Sequence, residues 1–202
     1  HIAQNKGAFD RTIQHIKMLQ EIGVPLSVNM VVMQENAEHV YLTGKFVHDL
    51  GIKSFTATKV EAAEGCTCFD TMEVSPVILK QTLDDLLRLH KEYGLYVGNQ
   101  TCYPVCFIGD LEHYQDIHFK GCGAGINHCT IGANGEVRAC PHTSDFYGNA
   151  LTEPLSAIWA KMFAWRDGSY IPTQCKSCEY LWICTGGCRA ASKFSHSIDS
   201  LD

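Results

Sequence analysis

The amino-acid sequence predicts an α/β fold in which a parallel sheet is followed by a small cysteine-rich domain. Helical and strand-like segments alternate over residues 8–97, which is the pattern of βα units around a parallel sheet. From about residue 100 the chain changes to glycine, aromatic residues and cysteine. Near its end, four cysteines follow one another with C-x2-C-x5-C-x3-C spacing. With 202 residues, 46% of them hydrophobic, the chain can bury a sizeable core.

The first half of the chain supplies the helices and strands of this prediction. Apolar residues at helical spacing predict a first helix over residues 8–22, and Gly23 lies just past its end as a C-cap. Residues 26–33 are apolar and β-branched, which predicts a strand buried on both faces. Asn36 is expected to cap a second helix over residues 37–50.

The alternation continues beyond the second helix. Residues 52–58 read as the next strand, and Ser75-Pro76 predicts a helix with a serine cap and proline at its first position, running to Tyr93 before Gly94. Residues 95–97 read as a brief third strand. Three parallel strands would leave an unpaired edge, so we interpret residues 1–110 as the second part of a longer sheet or barrel.

Residues 111–202 form the second predicted domain, which begins with a hairpin. Asn134-Gly135 between two short strand-like runs is a strong hairpin signal. If these two residues form the turn, Cys129 lies opposite Cys140, and Cys122 is close enough in sequence to fold over as a third thiol. A cross-strand disulfide is the alternative interpretation.

The densest motif is the run Cys175, Cys178, Cys184 and Cys188. A tight turn brings the side chains of a Cys-x-x-Cys pair to the same side, and thiolates bind Zn²⁺ or iron–sulfur clusters. Disulfides or buried small hydrophobes are the alternatives. The eleven cysteines are odd in number and cluster toward the C-terminal half, which favours metal ligands in a reducing compartment. The run alone does not separate zinc from iron.

Charge and terminal sequence argue against several partners. The net charge of −6 and the lack of a Lys/Arg run make nucleic acid or an anionic membrane surface an unexpected partner. No apolar run approaches the length of a membrane span, and the first residues lack the layout of a signal peptide. We therefore expect a cytoplasmic protein.

These motifs together resemble a known domain. The spacing from Cys122 through Gly135 to Cys140, and the four-cysteine run with Gly186-Gly187 before Cys188, resemble the SPASM domain over residues 121–192. SPASM is the auxiliary-cluster extension of radical SAM enzymes that modify peptides and proteins. The upstream βα units are similar to the later half of the partial (β/α)6 barrel that precedes SPASM in those enzymes.

The resemblance implies two auxiliary [4Fe–4S] clusters. The first would be held by Cys122, Cys140 and Cys188, with Cys129 as the fourth ligand, and the second by Cys175, Cys178 and Cys184. Two features depart from the family pattern. No cysteine follows Cys188 to complete the second cluster, and we expect that the chain is cut short of this ligand; an open iron or a substitute such as His196 are the alternatives. The C-x3-C-x2-C motif of the SAM-cleaving cluster is absent from these residues.

The resemblance implies that this chain is the C-terminal portion of a maturase. Such an enzyme uses a 5′-deoxyadenosyl radical to abstract hydrogen from a peptide or protein. S-adenosylmethionine, a third [4Fe–4S] cluster and a reductant such as flavodoxin or ferredoxin belong to the longer enzyme, and the fragment alone is expected to be inactive. Asn29 and Val31 are candidates for the SAM pocket, with core packing as the alternative for Val31. A zinc-binding interaction module and a separate iron–sulfur electron carrier are the alternative functions.

Four cysteines and two histidines carry weaker expectations. Cys66, Cys68, Cys102 and Cys106 are interpreted as ordinary buried or loop cysteines. Cys102 and Cys106 have the first gap of a C-x3-C-x2-C motif, but Gly109 stands where its third cysteine would be. His128 and His142 flank the hairpin cysteines and are candidates for groups that contact the ligands.

Overall fold

The computed structural model describes residues 5–62, 65, 69–102 and 104–190. Its order of helices and strands confirms the predicted α/β class. The elements are α1 (Ala8–Glu21), β1 (Val28–Val32), α2 (Val40–Asp49), β2 (Ser54–Lys59), α3 (Pro76–Tyr93), β3 (Tyr96–Gly98), β4 (Ile117–His118), β5 (Thr130–Ile131), β6 (Glu136–Arg138), β7 (Phe146–Asn149), α4 (Leu155–Lys161) and α5 (Leu181–Cys184). Cys66, Cys68 and His196 lie outside the described residues.

Two sheets organise the chain. Strands β1 to β4 form a parallel sheet in sequence order, and β5 to β7 form an antiparallel sheet. We refer to residues 5–118 as the sheet region and to residues 119–190 as the cysteine-rich region. The parallel sheet extends to His118 through β4, a strand that the sequence analysis did not predict. The predicted division at residue 110 stays a prediction.

The core of the sheet region lies between the parallel sheet and helices α2 and α3. Leu83, Leu86 and Leu89 of α3 are fully buried against Phe55 of β2. The predicted start of α3 is confirmed, because the Ser75 hydroxyl accepts a hydrogen bond from the backbone N–H of Ile78 at 3.3 Å and proline follows.

Two predictions at the start of the sheet are wrong. Strand β1 is not buried on both faces: Val32 is buried, whereas Val31 is 45% exposed. Helix α2 begins at Val40 after a 3-10 turn, and Asn36 does not cap it. The Asn36 side chain instead accepts from the N–H of Met33 at 2.8 Å and donates to the carbonyl of Val31 at 2.9 Å. Asn36 thus ties the end of β1 to the following loop.

The cysteine-rich region has a core of its own, built on β6 and α4. Val137, Ile158 and Met162 are fully buried in it, and Trp165 closes one side with its indole N–H donating to the Tyr147 hydroxyl at 2.7 Å. Among the described residues, none of the helices combines the length and the apolar character needed to cross a membrane.

Candidate metal centre

The hairpin of β5 and β6 does not have the predicted register. Ile131 pairs with Val137 and Thr130 with Arg138, so that the same register places Cys129 opposite Ala139 and not opposite Cys140. The turn is longer by one residue because Gly135 has a positive φ of 85°, and its N–H donates to the carbonyl of Gly132 at 2.9 Å. A turn closed by a residue in this conformation gives a three-residue hairpin loop.

Four cysteines nevertheless meet at the boundary between the two regions. Cys102 and Cys188 are buried together, and Cys122 and Cys140 pack against them. Together with His128 and His142 they line a cavity of ≈ 170 Å³. We call these cysteines the first thiol group: Cys102, Cys122, Cys140 and Cys188. Cys129 does not line this cavity and packs against the neighbouring core instead.

Hydrogen bonds and charge distinguish the thiols of the first group. The thiol of Cys102 donates toward Cys122, which raises the pKa of Cys102 and, together with nearby Arg189, lowers the pKa of Cys122 to about 6. Burial opposes the shift at Cys122. A thiolate is the form that binds metals, so the site favours the ligand form of Cys122 at neutral pH.

His142 contacts the same group from the loop after β6. Hydrogen bonding to the thiols of Cys140 and then Cys188 raises the pKa of the His142 imidazole to about 10, against the effect of its burial. Its backbone N–H also donates to the sulfur of Cys140 at 3.5 Å. Such N–H donors to ligand sulfurs are a means by which a protein tunes an iron–sulfur centre.

The second thiol group comprises Cys175, Cys178 and Cys184. Consecutive turns bring them together: the N–H of Cys178 donates to the carbonyl of Cys175 at 3.1 Å, and the N–H of Leu181 to that of Cys178 at 3.2 Å. Burial and then the neighbouring thiols of Cys184 and Cys178 raise the pKa of Cys175. Backbone turns thus connect the segment that carries these thiols, and their assignment to one cluster stays a prediction.

The two thiol groups are joined by a short connection. Cys184 belongs to the second group and Cys188 to the first. Between them the Thr185 hydroxyl accepts a hydrogen bond from the backbone N–H of Cys122 at 2.7 Å. Gly121 lies so close that a Cβ on it would be 2.9 Å from Thr185 Cγ2 and 3.0 Å from the carbonyl of Ile183. The backbone at Gly121 and Cys122, which leads into the first thiol group, is thus fixed against residues 183–185 at the end of the second thiol group.

No group of three or more His, Cys, Asp or Glu side chains within the described ranges has the arrangement of a site for one metal ion. A [4Fe–4S] cluster spreads its four thiolates more widely, because four irons lie between them. The donor set of the first thiol group, four sulfurs around one cavity, fits such a cluster.

The candidate SAM residues lie elsewhere, on the face of the parallel sheet opposite to the helices. Asn29 pairs with Thr56 across β1 and β2, and its side-chain oxygen accepts from the hydroxyls of Thr56 at 2.8 Å and Thr58 at 2.7 Å. The N–H of Gln100 donates to the Thr58 hydroxyl at 2.9 Å. Val31 is exposed on this polar face, so packing in the described core does not account for it.

A buried ion pair follows this face at the carboxyl end of β2. The ammonium of Lys59 lies 2.8 Å from Glu61 Oε2, and the two side chains are 4% and 3% exposed. No periodicity or spacing in the sequence points to this pair. The carboxyl ends of barrel strands are where active sites are built.

One protein family matches part of the cysteine-rich region. Residues 122–179 match the family described as SPASM, an iron–sulfur cluster-binding domain. This part of the cysteine-rich region therefore resembles a SPASM domain. The matched segment includes Cys122, Cys129, Cys140, Cys175 and Cys178 and ends before Cys184 and Cys188.

The similarity extends over nearly the whole chain. The AdoMet-dependent heme synthase of Methanosarcina barkeri is 28% identical over 201 residues, which cover 91% of this chain and 56% of that protein. The antilisterial bacteriocin subtilosin biosynthesis protein AlbA of Bacillus subtilis is 29% identical over 67% of this chain and 28% of its own length. The resemblance to radical SAM enzymes that carry a SPASM domain is confirmed for this C-terminal part.

A solved structure shows the same fold. Native anSMEcpe with bound AdoMet and Kp18Cys peptide matches with a TM-score of 0.62 and 17% identity, over 94% of this chain and 55% of that one. The predicted barrel portion followed by SPASM is confirmed as the fold class. Three curated relatives match most of this chain, and the chain spans about half of the length of each of them.

Proposed function

We propose that this chain is the C-terminal portion of a radical SAM/SPASM maturase that modifies a peptide or protein by 5′-deoxyadenosyl-radical hydrogen abstraction. In this proposal, its cysteine-rich region binds two auxiliary [4Fe–4S] clusters. The observation that carries the proposal is the convergence of Cys102, Cys122, Cys140 and Cys188 on one cavity. Thiols so far apart in sequence converge where a shared cofactor requires them.

The ligands proposed for the first cluster are the first thiol group, with Cys102 in the place that the sequence analysis gave to Cys129. Cys102 is 7% exposed, and it is buried together with Cys188 while Cys122 packs against the pair. Cys129, one residue out of the predicted register, packs against the core of the SPASM domain. Cys175, Cys178 and Cys184 are proposed for the second cluster.

The remaining parts of the activity belong to a longer protein in this proposal. The 202 residues contain no C-x3-C-x2-C motif, and we expect them to be inactive alone. The polar sheet face with Asn29 and Val31 is proposed to border the SAM pocket, since barrel strands carry the active site at one end.

When bound, the auxiliary clusters supply one-electron relay or an iron that engages the substrate. The chain contributes thiolate ligands, hydrogen bonds from His142, and burial, which set a cluster's potential. Flavodoxin or ferredoxin is the proposed reductant. Thiolate ligands need reducing conditions, which supports a location in the cytoplasm.

Anaerobic reconstitution of the chain, followed by iron, sulfide and zinc analysis, tests the proposal. We expect about eight irons per chain and a broad visible absorption that bleaches on reduction. Stoichiometric zinc without colour would instead support a zinc-binding interaction module. A full-length protein that lacks C-x3-C-x2-C would favour a separate electron carrier.

Paired variants test the ligand assignment of the first cluster. We expect Cys102→Ser to lower the iron content or convert the first cluster to a three-iron form, because a ligand thiolate is lost. Cys129→Ser is the matched control, and it should keep about eight irons. The opposite pattern would restore Cys129 as the ligand.

A heme-related substrate is a second candidate, favoured by the length of one match. The M. barkeri heme synthase aligns with 91% of this chain, against 67% for AlbA. Titration of the reconstituted chain with hemin and with a cysteine-containing peptide separates the two. Peptide binding without a change in the hemin Soret band supports the maturase, whereas a shifted Soret band without peptide binding supports the heme-related candidate.

A further inference from the structure

We propose that Cys106 supplies the fourth thiolate of the second thiol group and so completes the site of the second cluster. The inference rests on the proposed function, because it assumes that Cys175, Cys178 and Cys184 bind a cluster. It concerns a different ligand, on the sheet side of the boundary, which no motif spacing connects to the four-cysteine run.

The turn that carries Cys106 is packed against the four-cysteine run. Cys106 lies in a 3-10 turn, Val105–Phe107, directly after Pro104. Carbons Cδ and Cγ of Pro104 each lie 3.1 Å from the position that a Cβ on Gly187 would occupy, and Gly187 has a positive φ of 78°. Glycine therefore permits both the backbone conformation and the close approach of the proline ring.

The next residue fixes the turn from its buried side. Val105 is 2% exposed and belongs to the same core as Cys184, with Tyr180 and Ile183 packed at its edge. The turn thus shares its buried side with the core that includes Cys184, and Pro104 holds it against the loop that follows Cys184. Among the four thiols, that of Cys106 is on the exposed side and that of Cys184 on the buried side.

The glycine before Gly187 places Cys175 at the same loop. A Cβ on Gly186 would lie 4.0 Å from Cys175 Cβ, whereas a Cβ on Gly187 would meet the ring of Pro104. The loop that follows Cys184 therefore lies between Cys175 and the turn that carries Cys106.

The chain contains two C-x3-C pairs, and in both the two cysteines are assigned to different thiol groups. Cys188 belongs to the first thiol group and Cys184 to the second, four positions apart. Cys102 and Cys106 have the same separation. Cys102 is buried with Cys188, and the turn of Cys106 follows Pro104, which packs against the loop after Cys184. The two pairs touch where Pro104 meets Gly187. In this proposal each C-x3-C pair contributes one cysteine to each thiol group. Cys102 and Cys188 belong to the first group, and Cys106 and Cys184 belong to the second.

The test compares three alanine variants of the full chain after anaerobic reconstitution. Cys178→Ala removes a ligand already assigned to the second cluster, and Cys129→Ala removes a thiol outside both groups. We expect Cys106→Ala to match Cys178→Ala: iron falls from about eight to about seven or fewer per chain, and the oxidised protein gives the electron paramagnetic resonance signal of a three-iron cluster. Cys129→Ala should match the unchanged chain.

Cys106→Ser is the control for a folding defect in the alanine variant, because serine is close to cysteine in size. An oxygen ligand should restore the fourth iron while shifting the reduction potential of one cluster only. If Cys106→Ala and Cys106→Ser both keep the iron content, spectrum and potentials of the unchanged chain, while Cys178→Ala does not, the inference is wrong and the proposed function stands. If the unchanged chain takes up zinc and no iron, both are wrong.

Discussion

The sheet region and the cysteine-rich region differ in how much apolar surface holds them together. In the sheet region, α3 alone buries Leu79, Leu83, Leu86, Leu87 and Leu89 against the strands. The core of the cysteine-rich region contains six buried residues among those described, and its sheet has strands of two to four residues. Small cores usually need metals or other cross-links, so the thiol groups are expected to stabilise the second region.

Cluster removal should give the largest difference between the regions. Reconstituted protein stripped of iron by chelator and oxidant is expected to lose amide protection at Val137 in β6, because metal binding and folding are coupled in small metal domains. Protection at Leu86 in α3 should persist. We expect hydrogen exchange at Val137 to accelerate by at least about a hundredfold, equivalent to about 2.7 kcal/mol.

Mass spectrometry of the exchanged peptides measures both sites in one sample. Apo protein that has been reloaded with iron and sulfide is the control, and it should recover protection at Val137. Equal exchange at Val137 with and without iron would show that the six-residue core suffices by itself.

Leu86→Ala is the next largest perturbation, and it acts on the sheet region. Leu86 is fully buried, so its truncation should lower the free energy of unfolding by about 2–5 kcal/mol. Val77→Ala, at a 78% exposed site of the same helix, should change it by less than about 0.5 kcal/mol. Urea denaturation followed by circular dichroism measures both. Similar losses in the two variants would contradict the assigned core.

Ile158→Val is the smallest perturbation, and it acts on the core of the cysteine-rich region. Ile158 is fully buried there, and loss of one methylene should cost about 0.5–1.5 kcal/mol in the apo protein. Ile131→Val, at a 51% exposed site, is the control. With clusters bound, Ile158→Val should raise the rate of iron release to a chelator more than Ile131→Val does. Equal release rates would mean that cluster binding is independent of this core.

Local sequence signals predicted the parts of the fold that depend on neighbours along the chain. Ser75 and Pro76 mark the start of α3 as the structure has it, because capping uses groups three residues apart. The hairpin was misplaced by one residue, since Gly135 could serve either as the second turn residue or as the residue that closes a longer loop. The register of β5 and β6 depended on that choice.

The thiol sites show the limit of spacing arguments. The grouping of Cys175, Cys178 and Cys184 could be predicted from spacing, since consecutive backbone turns link this part of the chain, and their role as ligands stays a prediction. The approach of Cys102 to Cys188 was not predicted, because it depends on how the end of the sheet region meets the cysteine-rich region. The burial of β1 on both faces was predicted wrongly for a related reason, because an apolar run does not reveal whether the second face of its strand is covered.

The hydrogen bond between Cys122 and Thr185 has a consequence for how the protein matures. It fixes the backbone beside a first-group ligand to the loop that separates Cys184 from Cys188. With the proposed ligands, whichever cluster is inserted first orders this loop and places ligands for the other. Assembly should then be cooperative, so that substoichiometric iron yields empty and fully loaded chains and few chains with one cluster.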